Sequence, residues 1–184
     1  AFGDAIAETQ TIIDVFAALL DITAAEAAAG DARGLAPVAL DDLVARVVDL
    51  YEGVAEERHV RLVADAAPAT MLGDPMLLMR MLANVVDNAI KFSPEGGVVR
   101  VSLSAAGEEA LLEVCDQGPG VPAGFAGSAF ERFSRADAAR SKPGHGLGLP
   151  LVRAIALRHG VKVAMSNLDP GLCVAFRCPL ARGA

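Results

Sequence analysis

Over residues 117–145 the chain loses its apolar periodicity, and glycine marks both ends of the stretch. Asp116-Gln117-Gly118-Pro119-Gly120 opens it and Gly144-His145-Gly146-Leu147-Gly148-Leu149 closes it. A loop this long inside a compact domain is ordinarily a functional lid. Glycines let backbone amides approach and surround an anion, as in phosphate-binding nests and at helix N-termini. The fold therefore has to bring both glycine patches to one place. Upstream, Asn84 and Asn88 lie four apart, so they share a helix face, and Lys91 continues it. Side-chain amides can complete the shell of a hard cation such as Mg²⁺. Together the three segments read as a nucleotide site.

Around that site the periodicities predict an α+β chain. Residues 2–29 read as one long helix, in which Phe2, Ile6, Thr9, Ile13, Phe16, Leu20, Thr23 and Ala27 recur in steps of four and three. That is a heptad seam, widened by Ile12 and Leu19 and ended at Gly30-Asp31. A lone helix cannot satisfy such a seam, which calls for a partner from outside the chain or from a second copy. Residues 31–39 read as a linker, and a compact domain begins near Val38. Asp41 is expected to cap a helix over 42–57 that buries Leu43, Val44, Val47, Val48, Tyr51 and Val54. Strands are expected at 60–64 and 70–72. Asp74-Pro75 starts a helix carrying Leu77, Met81, Leu82, Val85, Ala89 and Phe92. A hairpin over 98–104 and 111–115, the lid, a helix over 147–159 and strands over 161–166 and 172–178 complete the pattern. The order αββαββ, lid, αββ suggests one mixed sheet with helices on one face, a two-layer sandwich.

Composition narrows the function. The chain of 184 residues is 53% hydrophobic but only 4% aromatic, so its core must be built of Ala, Val and Leu. A net charge of −7 without a basic run argues against a nucleic-acid surface and against membrane-surface binding. No apolar run approaches the roughly 20 residues needed to span a bilayer, and no secretory leader is expected. Cys115, Cys173 and Cys178 fall in strand-like stretches without metal-ligand spacing. They are expected to be buried reduced thiols, as in a cytosolic protein.

Taken singly the motifs are weak. Gly144-x-Gly146-x-Gly148 misses the dinucleotide-binding spacing, and no Walker A sequence occurs. As an ordered set they are strong. Asn84-Val-Val-Asp-Asn88-Ala-Ile-Lys91-Phe92, then Asp116-x-Gly118-x-Gly120, then Phe130-Glu-Arg-Phe133, then Gly144-x-Gly146-Leu-Gly148-Leu resembles the N, G1, F and G2 boxes of the catalytic, ATP-binding domain of bacterial sensor histidine kinases. The resemblance covers about residues 38–180 and implies the Bergerat ATP-binding fold, with ATP and Mg²⁺ as ligands. It implies that Asp116 accepts a hydrogen bond from the adenine amino group and that Gly118 and Gly120 let the chain pass close to the base. Asn88 would ligate Mg²⁺ and Asn84 would help hold the ion or its water. Lys91 would pair with phosphate, Phe92 would pack against adenine, and Arg135 would reach the terminal phosphates. Gly144, Gly146 and Gly148 would present amides to the phosphates at the start of the next helix, and between them His145 would touch a phosphate and Leu147 would complete the cofactor-binding segment. Arg140 and Lys142 are further lid cations, and Phe130 and Phe133 would anchor the lid.

One departure matters. The family transfers the γ-phosphate to a histidine on the first helix of a dimeric two-helix hairpin. None of His59, His145 and His159 precedes an acidic residue on a long helix. His59 borders a strand, and His159 ends a helix, where a protonated imidazole would favour the dipole; both read as structural. Residues 1–33 instead resemble the second helix of the hairpin, leaving residues 38–182 as the ATP-binding domain. The chain is thus expected to bind ATP without phosphorylating itself on the usual histidine. In the intact protein, a homodimer, the acceptor-histidine helix would pass phosphate to the receiver domain of a response regulator. The expected location is cytoplasmic, including as the cytosolic portion of a membrane-anchored sensor. The same fold resembles gyrase, Hsp90 and mismatch-repair ATPases and anti-sigma serine kinases, which carry Glu where Asn84 stands. A non-catalytic ATP-binding scaffold is the third alternative.

Overall fold

A computed structural model describes residues 16, 17, 19–28, 33–122, 124–131 and 146–181. Its core is a five-stranded mixed sheet of order β2-β4-β5-β7-β6. The strands are β2 (Arg61–Ala66), β4 (Val98–Ala106), β5 (Glu109–Cys115), β6 (Lys162–Leu168) and β7 (Gly171–Pro179). β2 runs parallel to β4, and every other pairing in the sheet is antiparallel. Alternation fixes which face is covered: Val99, Val101 and Leu103 of β4 are buried while Arg100 between them is exposed. The register then carries one apolar row across four strands, Leu103 opposite Leu112, Leu112 opposite Phe176, and Phe176 opposite Val163.

Three helices cover that row: α1 (Leu40–Glu57), α2 (Pro75–Phe92) and α4 (Gly148–Arg158). The short α3 (Phe125–Ser128) lies at the start of the lid. α2 begins as its sequence predicts, with the Asp74 carboxylate accepting from the Met76 and Leu77 amides at 2.9 and 3.2 Å and Pro75 in the first turn. Its buried stripe is Leu78, Met81, Leu82, Val85, Val86, Ala89 and Ile90.

Several local expectations fail for physical reasons. α1 starts at Leu40, before Asp41, so Asp41 lies in the first turn and its carboxylate accepts from the Ala69 amide at 3.4 Å. Val54 is exposed, and Ala55 takes the buried place. The supposed linker contains β1 (Ala36–Ala39), which pairs antiparallel with β3 (Thr70–Gly73) in a two-stranded sheet separate from the main one. Pro37 masks this strand in the sequence, yet a proline is tolerated at an edge. Hence the strands do not form a single sheet.

The N-terminal helical residues 19–27 turn two faces to different surroundings. Ile22 and Ala25 join the domain core, Asp21 pairs with Arg80 of α2, and Arg158 of α4 donates to the Ala28 carbonyl at 3.3 Å. Of the heptad seam, Phe16, Leu20, Thr23 and Ala27 are exposed. The seam positions Phe2 to Ile13 lie outside the described residues.

The cysteines correct the expectation of three reduced thiols. Cys115 and Cys173 stand opposite each other on β5 and β7 and form a disulfide. Separated by 58 residues, they meet only through strand register. Cys178 is a buried free thiol, and burial first, then the charge of Glu109, push its pKa up to about 12. A thiol titration of the unfolded chain should therefore find one reactive group before reduction and three after it.

Candidate functional site

α2 and α4 pack against each other so that the middle of one meets the start of the other. The Asn84 amide nitrogen donates to the Arg80 carbonyl at 2.8 Å, one turn back along α2. That bond turns Asn84 Oδ1 toward α4. A Cβ added at Gly148 would stand 3.0 Å from Asn84 Oδ1 and 3.9 Å from Asn88 Nδ2. Glycine at the first residue of α4 thus lets the helix start approach both asparagines. Leu147, the N-cap, is buried and makes no side-chain cap, so the Gly148 and Leu149 amides begin a helix end suited to an anion. Gly146 precedes it at a φ of +69°, in the left-handed region.

At the other end of α2 the chain packs on the root of the lid. A Cβ at Gly118 would lie 2.6 Å from the Phe92 carbonyl oxygen. Only glycine lets the strand β5 exit run this close to the last turn of α2. Phe92 is half-buried, and the Lys91 ammonium lies 5.6 Å from its ring centroid.

Asp116 is the hub between these parts. It is buried, at 7% exposure, and Asp116 Oδ1 accepts from the Gly118 amide at 2.8 Å and from the Leu172 amide at 3.2 Å. Its own amide donates to the Leu172 carbonyl at 2.9 Å. Burial raises the carboxyl pKa above its ordinary value, and the two amides oppose that shift. Both bonds fall on Oδ1, so Oδ2 is left to accept from a ligand donor.

The structure therefore gathers Asn84, Asn88, Gly146, Leu147 and Gly148 at the α2–α4 contact and Phe92, Asp116, Gly118 and Gly120 at the lid root, with Lys91 beside Phe92. Phe130 packs partly buried against the core. Phe133, Arg135, Arg140, Lys142, Gly144 and His145 lie outside the described residues. His59 is exposed in a left-handed turn after α1. His159 is buried, in keeping with a structural role, and burial lowers its pKa, against the charged form that the helix end would favour.

Two contributors escaped the sequence reading. Asn167 of β6 accepts from the Val121 amide at 2.9 Å and donates to the Val121 carbonyl at 2.8 Å, pairing with the lid root as a strand would. A Cβ at Gly120 would lie 2.7 Å from Asn167 Oδ1, which gives this glycine a packing reason besides closeness to a base. Leu172 contributes through its backbone, which carries no side-chain signature.

Residues 73–182 match the family model described as "Histidine kinase-, DNA gyrase B-, and HSP90-like ATPase". Across 172 residues the chain is 37% identical to the signal transduction histidine-protein kinase/phosphatase MprB of Mycolicibacterium smegmatis, covering 92% of this chain and 34% of that protein. MprB of Mycobacterium tuberculosis is 36% identical over 173 residues, with 92% and 33% covered. The chain thus spans about a third of the length of these curated relatives. Among solved structures, a mycobacterial sensor histidine kinase MprB superposes with a TM-score of 0.73 at 34% identity, covering 80% of this chain and 100% of that one. Full-length ShkA in complex with AMPPNP superposes with a TM-score of 0.80 at 29% identity, covering 95% and 37%.

Proposed function

The chain belongs to the histidine kinase-, DNA gyrase B- and HSP90-like ATPase family, and on that premise we propose that it is the ATP-binding catalytic part of a two-component sensor histidine kinase. Residues 38–182 form the ATP-binding unit and residues 1–33 contribute to a dimerisation helix. The γ-phosphate of ATP passes to a histidine other than His59, His145 and His159, and from there to an aspartate on a response-regulator receiver domain. The observation that carries this reading is the buried Asp116 carboxylate. It sits at the end of β5 with one oxygen fixed by two amides.

Each residue has a physical task. Asp116 Oδ2 accepts from the amino group of adenine, and guanine, with a carbonyl at that ring position, meets acceptor with acceptor. Phe92 packs on the base, while Gly118 and Gly120 keep the strand exit close to it. The amides of Gly144, Gly146 and Gly148, with those of His145 and Leu147, hold the phosphates at the start of α4. Lys91 and Arg135 neutralise phosphate charge. Among the described residues no group of three or more His, Cys, Asp or Glu is placed to hold a metal ion. Asn88 and Asn84 would hold Mg²⁺ through their amide oxygens, and the half-buried pair beside Gly148 suits such a hard ion. When bound, Mg²⁺ would neutralise charge on the phosphates during transfer. Asn84 cannot take a proton, which favours transfer to an acceptor over hydrolysis. The relative ShkA, solved with AMPPNP, and the MprB kinases support the reading.

Among the described residues no helix is long and apolar enough to cross a membrane. A cytoplasmic placement, as part of a sensor anchored elsewhere, follows from the proposed role. Calorimetric titration in Mg²⁺ tests the core of the proposal. ATP is expected to bind in the micromolar range and GTP at least about tenfold more weakly, the value of one lost hydrogen bond. Equal binding of the two, or none of either, would overturn it.

A further inference from the structure

We propose that His159 is a positioning residue for the nucleotide site, a buried link that fixes α4 along α2 and so holds Gly148 against Asn84. The inference rests on the ATP-site reading above. His159 Nδ1 lies 2.7 Å from the Ile155 carbonyl oxygen, and Nε2 accepts from the Asp74 amide at 3.0 Å. A carbonyl can only accept and an amide can only donate, so the ring is neutral with its proton on Nδ1. Asp74 is the N-cap of α2, the helix that carries Asn84, Asn88 and Lys91. His159 is the C-cap of α4, whose first residue is Gly148. The antiparallel pair is therefore tied by His159 and Asp74 where α4 ends and α2 begins, and meets through Gly148 and Asn84 where α4 begins against the middle of α2. β3 closes the same corner, since a Cβ at Gly73 would come within 3.3 Å of the His159 ring and overlap Leu78 Cδ1.

Protonation would put a second donor opposite the Asp74 amide and break the link. The charged groups facing the ring are Asp74 from α2 and Arg158 from its own helix. Burial, the largest effect, holds the imidazole below 6.5; the Arg158 charge adds to this, and the Ile155 carbonyl and Asp74 oppose it. With the folded pKa below the unfolded one, the link's contribution is complete above about pH 6.5 and declines as pH falls through the folded value.

The test compares the chain with His159→Phe, which keeps a ring but no polar atom, and His159→Gln, whose amide oxygen can still accept from Asp74. ATP affinity with Mg²⁺ is measured at pH 8, and the amide resonances of Gly148 and the Asn84 side chain are followed without nucleotide from pH 8 to pH 5.5. At pH 8 the Phe variant should bind ATP about tenfold more weakly and shift both resonances, while Gln stays within about threefold of the unmodified chain. On acidification the two resonances of the unmodified chain should move toward their positions in the Phe variant, and those of Gln should not. A Phe variant that leaves affinity and both resonances unchanged would overturn the proposal. So would an acid shift of the two resonances that persists in Gln without nucleotide, which also decides the matter if Phe fails to fold. If the unmodified chain binds no nucleotide, the ATP reading falls alone, and the two resonances still judge the link.

Discussion

Asp116→Asn is expected to weaken ATP binding by about 100-fold while leaving the fold nearly intact. Asparagine keeps a carbonyl oxygen where Oδ1 stands, so the Gly118 and Leu172 amides retain their acceptor. What changes is the other atom. An amide nitrogen replaces Oδ2 and presents a donor to the adenine amino group, itself a donor. A hydrogen bond to a charged group contributes about 1.5–3 kcal/mol, and leaving two buried donors face to face adds a desolvation cost. Burial already holds the native carboxyl above its ordinary pKa, so the neutral amide removes a cost from the folded chain. Thermal stability should therefore hold or rise slightly as affinity falls. Calorimetry beside a melting curve checks both. A variant that binds ATP as before would remove Asp116 from base recognition, and a large drop in melting temperature would mean that its role is structural.

Much of this site was legible because its parts are local in sequence. Asn84, Asn88 and Lys91 show their shared face through helical spacing, and Asp74-Pro75 announces the start of the helix that carries them. The glycine patches declare close approach without declaring to what. Gly118 meets the Phe92 carbonyl and Gly148 meets Asn84, contacts that depend on tertiary packing. What stayed hidden is whatever depends on strand register. Cys115 and Cys173 look like two isolated core thiols until β5 and β7 are aligned. The same alignment brings Leu172 to Asp116, through backbone atoms that any residue would supply. Asn167 reads as a polar residue near a turn, and only the fold shows it pairing with Val121. His159 reads as structural from its helix-end position, but that position favours a positive charge. The Asp74 amide opposite it requires a neutral ring.

Gly171→Ala should be the most damaging single methyl group in the described chain. Gly171 opens β7 at a φ of +121°, where a side chain is strained whatever the space. An added Cβ would also overlap the Asp116 carbonyl oxygen and stand 3.3 Å from Gln117 Cα. Those neighbours are backbone atoms and cannot rotate aside, so β7 must move away from β5 at the residue where Leu172 clasps Asp116. Backbone strain of about 1–2 kcal/mol and overpacking of about 1–3 kcal/mol sum to roughly 3 kcal/mol. For a chain of this size that lowers the melting temperature by about 6–12 °C. Gly107→Ala gives the cost of a left-handed backbone without any overlap. Its φ of +62° lies inside the small left-handed region that side chains can enter, so its strain is the milder, and nothing lies within 4 Å of the added methyl. The Gly107 variant should lose only about 1–2 kcal/mol and bind ATP normally. The Gly171 variant should lose more stability and, in the fraction that folds, bind ATP weakly, because displacing Leu172 withdraws an amide from Asp116. Equal melting temperatures for the two would mean that β7 yields freely at its start. The clasp on Asp116 would then not depend on how closely the two strands approach.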